Sequence, residues 1–280
     1  MTVSVWDATK LPEFSSIKLD EVEKALDALL ADNREKIQGL TSNDLAQLSW
    51  ANFAAPMEAL SDELNQFWSP VSHLNMVQNT PELRDVYNAC LPKLTEYFTD
   101  LGQNKALYQA YKMLAEKVDE LDSAQQEALR QNIRSFELSG VALEGEEKQR
   151  YGEISKRLSE LSSKFGENVL DATRAWSKLI EDEAELAGLP DSALAQAKQM
   201  AAAKEQEGWL FTLDAPSFMP VMSYADNREL RFEMYQAFST RASNQGPNAN
   251  EFDNAPLIDE MLALKKEKAG ILGFANYAEL

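Results

Sequence analysis

A chain of 280 residues with 44% hydrophobic and 9% aromatic content can bury one large core or two smaller ones, and nothing in it is collagenous, repetitive or of low complexity. Its net charge of −19, from 46 acidic and 27 basic residues, repels phosphate backbones, and no cluster of Lys or Arg interleaved with aromatics offsets it, which disfavours nucleic-acid binding. The apolar runs fall far short of the ~20 residues that span a bilayer, Met1 to Asp7 lacks the basic and apolar regions of a secretory signal, and the single cysteine, Cys90, excludes an internal disulfide and any multi-cysteine metal site.

In chain order, the segment from Lys10 to Phe14 is expected to be an extended arm. Asp20 is expected to cap a helix whose apolar stripe is Val22, Ala25, Leu26, Leu29, Leu30, Ile37 and Leu40. Ser42 begins another segment, continued by Ser49, Trp50 and Phe53, and Pro56 opens a helix with Met57, Leu60, Leu64 and Phe67 at core spacing. Pro70 reads as a boundary, followed by a short element to Val77 that contains the single histidine, His73. Thr80, Pro81 and Glu82 form a helix start, with an N-cap hydroxyl, a proline at the first helical position and an acid in the first turn. The stripe Leu83, Val86, Tyr87, Leu91, Leu94, Tyr97, Phe98 and Leu101 continues that helix to Gly102, with a kink expected near Asn88 because Pro92 removes a backbone donor. A shorter helix carries Leu107, Tyr111 and Leu114, and Ser123 to Gln126 reads as a capping box for a helix with Leu129, Ile133, Phe136 and Leu138, stopped at Ser139 and Gly140.

The longest periodic run follows. Tyr151, Ile154, Leu158, Leu161, Phe165, Val169, Ala172 and Trp176 recur at steps of three and four, without proline, which predicts one helix over 146–175. Its length is roughly 45 Å at the usual rise per residue, against a radius of gyration of ~19 Å for a chain of this size. The aromatic knobs Tyr151, Phe165 and Trp176 and the internal Gly152 and Gly166 favour a scaffold helix packed by unlike neighbours over a coiled coil. A strand at about 176–181 is expected to pair with one at 209–214 as a small ribbon, with an Ala-rich helix from Pro190 to Gly208 between them. A short helix after Pro216 and Pro220 ends at Tyr224, Asp226 to Glu229 reads as a second capping box, and a helix through Leu230, Tyr235 and Phe238 follows. Gly246 to Asn248 is a loop, and Pro256 starts a last helix with Leu257, Met261, Leu262 and Leu272, capped by Gly273. The fold expected is mostly α, in two parts: residues 1–144 as a helical layer, and 145–280 with the long helix, the ribbon and the helices after it.

The search for chemistry leaves little. There is no His-Glu-x-x-His, and one His with one Cys cannot build a zinc site of the usual ligands. Gly-x-Ser-x-Gly and Gly-rich phosphate loops are absent, and His73 is read as a structural or surface residue and Cys90 as a small buried apolar one. The carboxylate runs Glu144, Glu146, Glu147 and Glu181 to Glu185 read as solvated faces. Arg228, Arg231 and Arg241, beside the aromatic segment 232–238, either hold a peptide carboxylate or make structural ion pairs, and the second is the expectation.

A family resemblance adds to this. The segments WSPVSHLNMVQNTPELR from Trp68 to Arg84, FELSG from Phe136 to Gly140, QRYGEI from Gln149 to Ile154 and NVLDAT from Asn168 to Thr173 resemble the N-terminal half of the thimet oligopeptidase and neurolysin family of zinc metallopeptidases. So do TRASNQGPNA from Thr240 to Ala249 and LGFANY from Leu272 to Tyr277. The resemblance implies a neurolysin-like helical fold, a cytoplasmic location and hydrolysis of short peptides held in a deep channel. It also implies a zinc ion, bound by His-Glu-x-x-His and a later Glu in the family's C-terminal half, which polarises the scissile carbonyl while the motif's Glu activates water. That motif does not occur in these residues, so no catalytic, metal-binding or substrate-binding residue is assigned, no zinc is expected on this chain, and the chain alone is expected to be inactive. The expected partners are short peptides and the C-terminal half, not nucleic acid or membrane. The other reading is a stand-alone helical scaffold that binds peptides or proteins without catalysis. If these residues normally pack against a further half, they expose apolar surface and self-associate. Sedimentation should then show concentration-dependent association, and a strict monomer at high concentration would count against it.

Overall fold

The computed structural model describes residues 11–42 and 44–280. Lys10 of the expected arm and the segment Met1 to Asp7 lie outside them. Leu11 to Glu13 has no regular structure, and Phe14–Ser16 forms a 3-10 turn. The fold is mostly helical, as the sequence predicts, with helices α1 (Leu19–Thr41), α2 (Ala55–Val77), α3 (Pro81–Gly102), α4 (Lys105–Ala115) and α5 (Ser123–Leu138) before the long α6 (Gly145–Ala175). Strand β1 (Ser177–Ile180), helix α7 (Asp191–Ala203), strand β2 (Trp209–Thr212) and helices α8 (Ala215–Tyr224), α9 (Arg228–Ser239) and α10 (Ala255–Ile271) complete it. The chain divides into two units, 1–160 with 264–280, and 161–263.

In the first unit α1 packs on α2 and α3, and α4 on α5 and α1. The core is the stripe read from sequence: Val22, Leu26, Leu30 and Ile37 of α1 meet Leu60, Leu64 and Phe67 of α2 and Leu83, Leu94 and Tyr97 of α3. Periodicity alone misses Asn33, which is fully buried among them and donates Nδ2 to the Leu60 carbonyl at 3.5 Å. The first half of α6 belongs to this unit, with Tyr151 and Ile154 buried and Ser159 bonded to Thr95 of α3 at 3.0 Å.

In the second unit β1 and β2 pair antiparallel, Ser177 opposite Thr212 and Ile180 opposite Trp209, so the expected ribbon forms, slightly shorter than read. Leu210 and Phe211 are buried, α7 packs on β2, and Phe211, Leu213, Val221, Leu230 and Met234 close a second core.

Several local readings are corrected. Pro70 does not end a helix. It lies inside α2 and is buried, because the turn around it also buries Phe67 and Val71. Each such side chain contributes about 1.5–3 kcal/mol, which offsets the roughly 3 kcal/mol that an interior proline costs. Pro92 lies inside α3, which runs to Gly102 as read, whereas Pro216 and Pro220 lie in the first turn and interior of α8 rather than ahead of it. The caps shift by one or two residues. Asp20 sits in the first turn of α1, whose N-cap is Lys18. Asp122, not Ser123, caps α5, accepting from Gln125 N at 2.8 Å while the Gln125 side chain returns to Asp122 N at 3.0 Å. Asn227 alone caps α9, its amide oxygen accepting from Glu229 N and Leu230 N at 3.0 and 3.1 Å. A capping box that the reading passed over forms between Ser49 and Asn52 and opens a π-helical turn, Trp50–Ala54, ahead of α2. The Thr80 cap is as read, its hydroxyl accepting from Leu83 N at 3.3 Å.

The Ala-rich helix α7 stops at Ala203, and Gly208 instead opens β2 at φ +114°, where an added Cβ would lie 2.5 Å from the Ile180 carbonyl oxygen. Gly166, by contrast, is exposed on α6 with open space where a Cβ would stand. The two substitutions should therefore act in opposite directions. In denaturant unfolding, Gly208→Ala lowers stability by more than ~1 kcal/mol and Gly166→Ala raises it by roughly 0.4–1 kcal/mol.

Candidate functional site

Each candidate residue has a definite place. Cys90 is fully buried on α3, and burial, assisted by Glu23, pushes its thiol up to about 11, so at neutral pH it packs as an uncharged group. His73 is exposed on α2 with its ring centroid 5.7 Å from that of Phe14. Glu144, Glu146, Glu147, Glu181, Asp182, Glu183 and Glu185 are all exposed, and Glu144 pairs with Lys105. Among the described residues no group of three or more His, Cys, Asp or Glu side chains is placed to share a metal ion. No described helix is long and apolar enough to cross a membrane.

The arginines do not come together. Arg228 is exposed at the first turn of α9. Arg231 donates to the carbonyls of Ala225 and Asp226, closing the α8–α9 turn. Arg241 follows α9, and its guanidinium lies 3.6 Å from the ring centroid of Phe238, which stacks on Phe218 at 4.2 Å. Its Nε donates to the Phe238 carbonyl and its Nη1 to Thr173 Oγ1 of α6, both at 2.9 Å. Burial lowers its pKa, opposed by Asp214. Arg231 and Arg241 are thus structural, as expected, but through carbonyls, a hydroxyl and a ring face rather than the expected ion pairs. A fork of rigid donors suits this task, because it satisfies several carbonyl acceptors without burying a second charge.

The most elaborate polar arrangement surrounds the loop 240–254 in the second unit. Ala242 and Asn250 take left-handed backbone angles, φ 49° and 68°, and Asn250 N and Asn254 N donate to the carbonyls of Ser243 and Ala242. Asn254, 3% exposed, anchors the loop: its Nδ2 donates to the Phe165 carbonyl at 3.1 Å and its Oδ1 accepts from Asn168 Nδ2 at 2.8 Å. Both Asn168 and Thr173 lie in segments that carry the family resemblance, so those motifs hold a loop in place rather than supply a nucleophile, acid or base. The motifs are visible in the sequence but their pairing is not, since Asn168 and Asn254 are 86 residues apart.

Residues 26–148 match the neurolysin and thimet oligopeptidase N-terminal domain, and residues 221–280 match peptidase family M3. The chain is thus similar to the neurolysin and thimet oligopeptidase family in both matched stretches. It is 52% identical over 280 residues to Oligopeptidase A of Salmonella typhimurium, covering 99% of this chain and 41% of that protein. It is 51% identical over 272 residues to Oligopeptidase A of Haemophilus influenzae, covering 96% and 40%, and 39% identical over 278 residues to a probable cytosolic oligopeptidase A of Arabidopsis thaliana, covering 96% and 39%. The chain thus spans about 40% of the length of the curated relatives it matches.

The buried amide pair sets a test. Asn254→Ala leaves the buried Asn168 amide without the partner that accepts its Nδ2, which costs about 1–3 kcal/mol. Denaturant unfolding should show a loss in that range or above, whereas Asn248→Ala at the exposed loop tip should change stability by no more than ~0.5 kcal/mol.

Proposed function

We propose that this chain is the N-terminal, channel-forming part of a zinc-dependent oligopeptidase that hydrolyses short peptides. The observation that carries the proposal is a match to Oligopeptidase A along the chain at half identity or better. The matched N-terminal domain ends at residue 148, within the first turns of α6 and near the 144/145 division read from the sequence, whereas the compact first unit runs on to residue 160 and takes in 264–280.

The residues described do not fit a zinc site. The one histidine is exposed, the one cysteine is buried with its thiol protonated, and the described acids are not grouped for coordination. No catalytic step is therefore routed through this chain. Its contribution is shape: a wall that admits short flexible peptides and excludes folded proteins. A cytoplasmic location is supported by the Arabidopsis relative described as cytosolic, while another Arabidopsis relative, 38% identical, is described as organellar.

A chimera tests the reading. With this chain in place of the matched 41% of the Salmonella relative, short-peptide cleavage should appear and be removed by a zinc chelator, while the 280-residue chain alone, with zinc added, should cleave nothing. A folded, zinc-loaded but inactive chimera would contradict the channel role, and cleavage by the isolated chain would contradict its silence. A folded isolated chain that binds peptides while the chimera stays inactive would favour the scaffold reading.

A further inference from the structure

The first unit holds a cavity of about 180 Å³ that none of the preceding sections uses, between α2, the C-terminal part of α3, α4 and α5. Its floor is apolar and tightly buried: Leu60 and Leu64 of α2, Tyr97 of α3, Tyr111 of α4 and Phe136 of α5 are each less than a tenth exposed. A comparably lined cavity of about 150 Å³ accepts benzene, so one six-membered ring with a short alkyl arm fits this one. The rim differs in kind. Glu58 and Ser61, a turn apart on α2, are exposed, and Phe98 is 52% exposed although it lies in the apolar stripe of α3.

The electrostatics of this lining have one sign. Among the described residues Glu58 is the only carboxylate lining the cavity, and no Lys, Arg or His lines it. Among the described residues no cation pairs with Glu58. The guanidinium of Arg34 lies 5.4 Å from the Tyr97 ring centroid and is turned to Asp100 at 3.7 Å. Burial, with Glu58 as the second cause, pushes the Tyr111 hydroxyl up to about 12, which keeps it a neutral donor in the cavity wall. The faces of Tyr97, Phe98 and Tyr111 also carry negative potential, and a cation close to such faces is attracted by the ring quadrupoles. An apolar interior beside a single unpaired carboxylate is the pattern of a small-molecule pocket with one orienting charge.

We propose that this cavity binds a small arylalkylammonium ion, with its ring against Leu60, Leu64 and the aromatic floor and its ammonium at the Glu58 carboxylate. The proposal does not depend on the oligopeptidase reading.

The test is calorimetric titration of the 280-residue chain with phenethylammonium, 2-phenylethanol, 3-phenylpropionate and ethylammonium at one ionic strength. Phenethylammonium should saturate a single site about tenfold more tightly than the neutral alcohol, the gain expected of one charge-assisted hydrogen bond. The anion should bind more weakly than the alcohol, and ethylammonium, lacking a ring, should show no saturable site. Glu58→Gln should bring phenethylammonium to the affinity of the alcohol, and Ser61→Phe, which plugs the rim from an exposed position, should abolish binding of both. No saturable binding of phenethylammonium overturns the proposal, as does its retention in Ser61→Phe. Persistence of the cation preference in Glu58→Gln overturns it too, because the general negative charge of the chain would then explain the preference.

Discussion

An uninterrupted helix of 31 residues cannot be stable in water by propensity alone, so α6 holds its form only where neighbouring elements cover its apolar seam. They do so in both units. Tyr151 and Ile154 are buried in the first, Leu161 and Ala172 in the second, and Leu158, Phe165 and Val169 between them are half-buried. At about 1.5–3 kcal/mol for each large side chain removed from water, this seam outweighs the cost of two interior glycines at ~1 kcal/mol apiece. Polar contacts then fix what the seam leaves free. Thr95 meets Ser159, Lys268 reaches Ser155 at 3.4 Å with its ammonium 4.5 Å from the Tyr151 ring centroid, and Arg150 forks onto Glu267 at 2.6 and 2.9 Å. The Thr95 and Lys268 contacts are partly buried, and the Arg150–Glu267 fork is exposed, so the worth of the fork lies in orientation more than in stability.

The parts of the fold legible in the sequence are those set by period and by backbone chemistry within a few residues. The seam of α6, the Thr80 cap, the Gly273 stop and the ribbon of β1 with β2 are all of this kind. The misreadings occur where a distant partner changes the local balance. Pro70 is a helix breaker by its own chemistry, yet the core reached by Phe67 and Val71 keeps α2 continuous. Ser123 is a good N-cap, but the neighbouring Asp122 is better placed to exchange bonds with Gln125. Leu262 keeps the spacing of a core residue and is 61% exposed, because α10 buries only Ala269 completely among its side chains.

The candidate site was less legible for the same reason. The motif residues Asn168, Thr173 and Arg241 are visible in the sequence, but their function as anchors for the loop 240–254 depends on pairings across 86 and 68 residues. A buried amide pair is an uneconomical way to gain stability and an effective way to choose one loop conformation, since any other leaves both amides unpaired. The family's sequence signature in this chain is therefore read as a signature of shape. The reactive groups the sequence offers, Cys90 and His73, are respectively buried and exposed.

The central claim is that α6 is a continuous, covered strut rather than two short helices that happen to be collinear in sequence. Residue-resolved hydrogen exchange of the native chain measures this directly. Slow exchange should run without a gap from Tyr151 through Ala172, with the amides of Ile154 and Leu161 among the best protected. A fast-exchanging stretch between Glu160 and Glu167 would contradict the account.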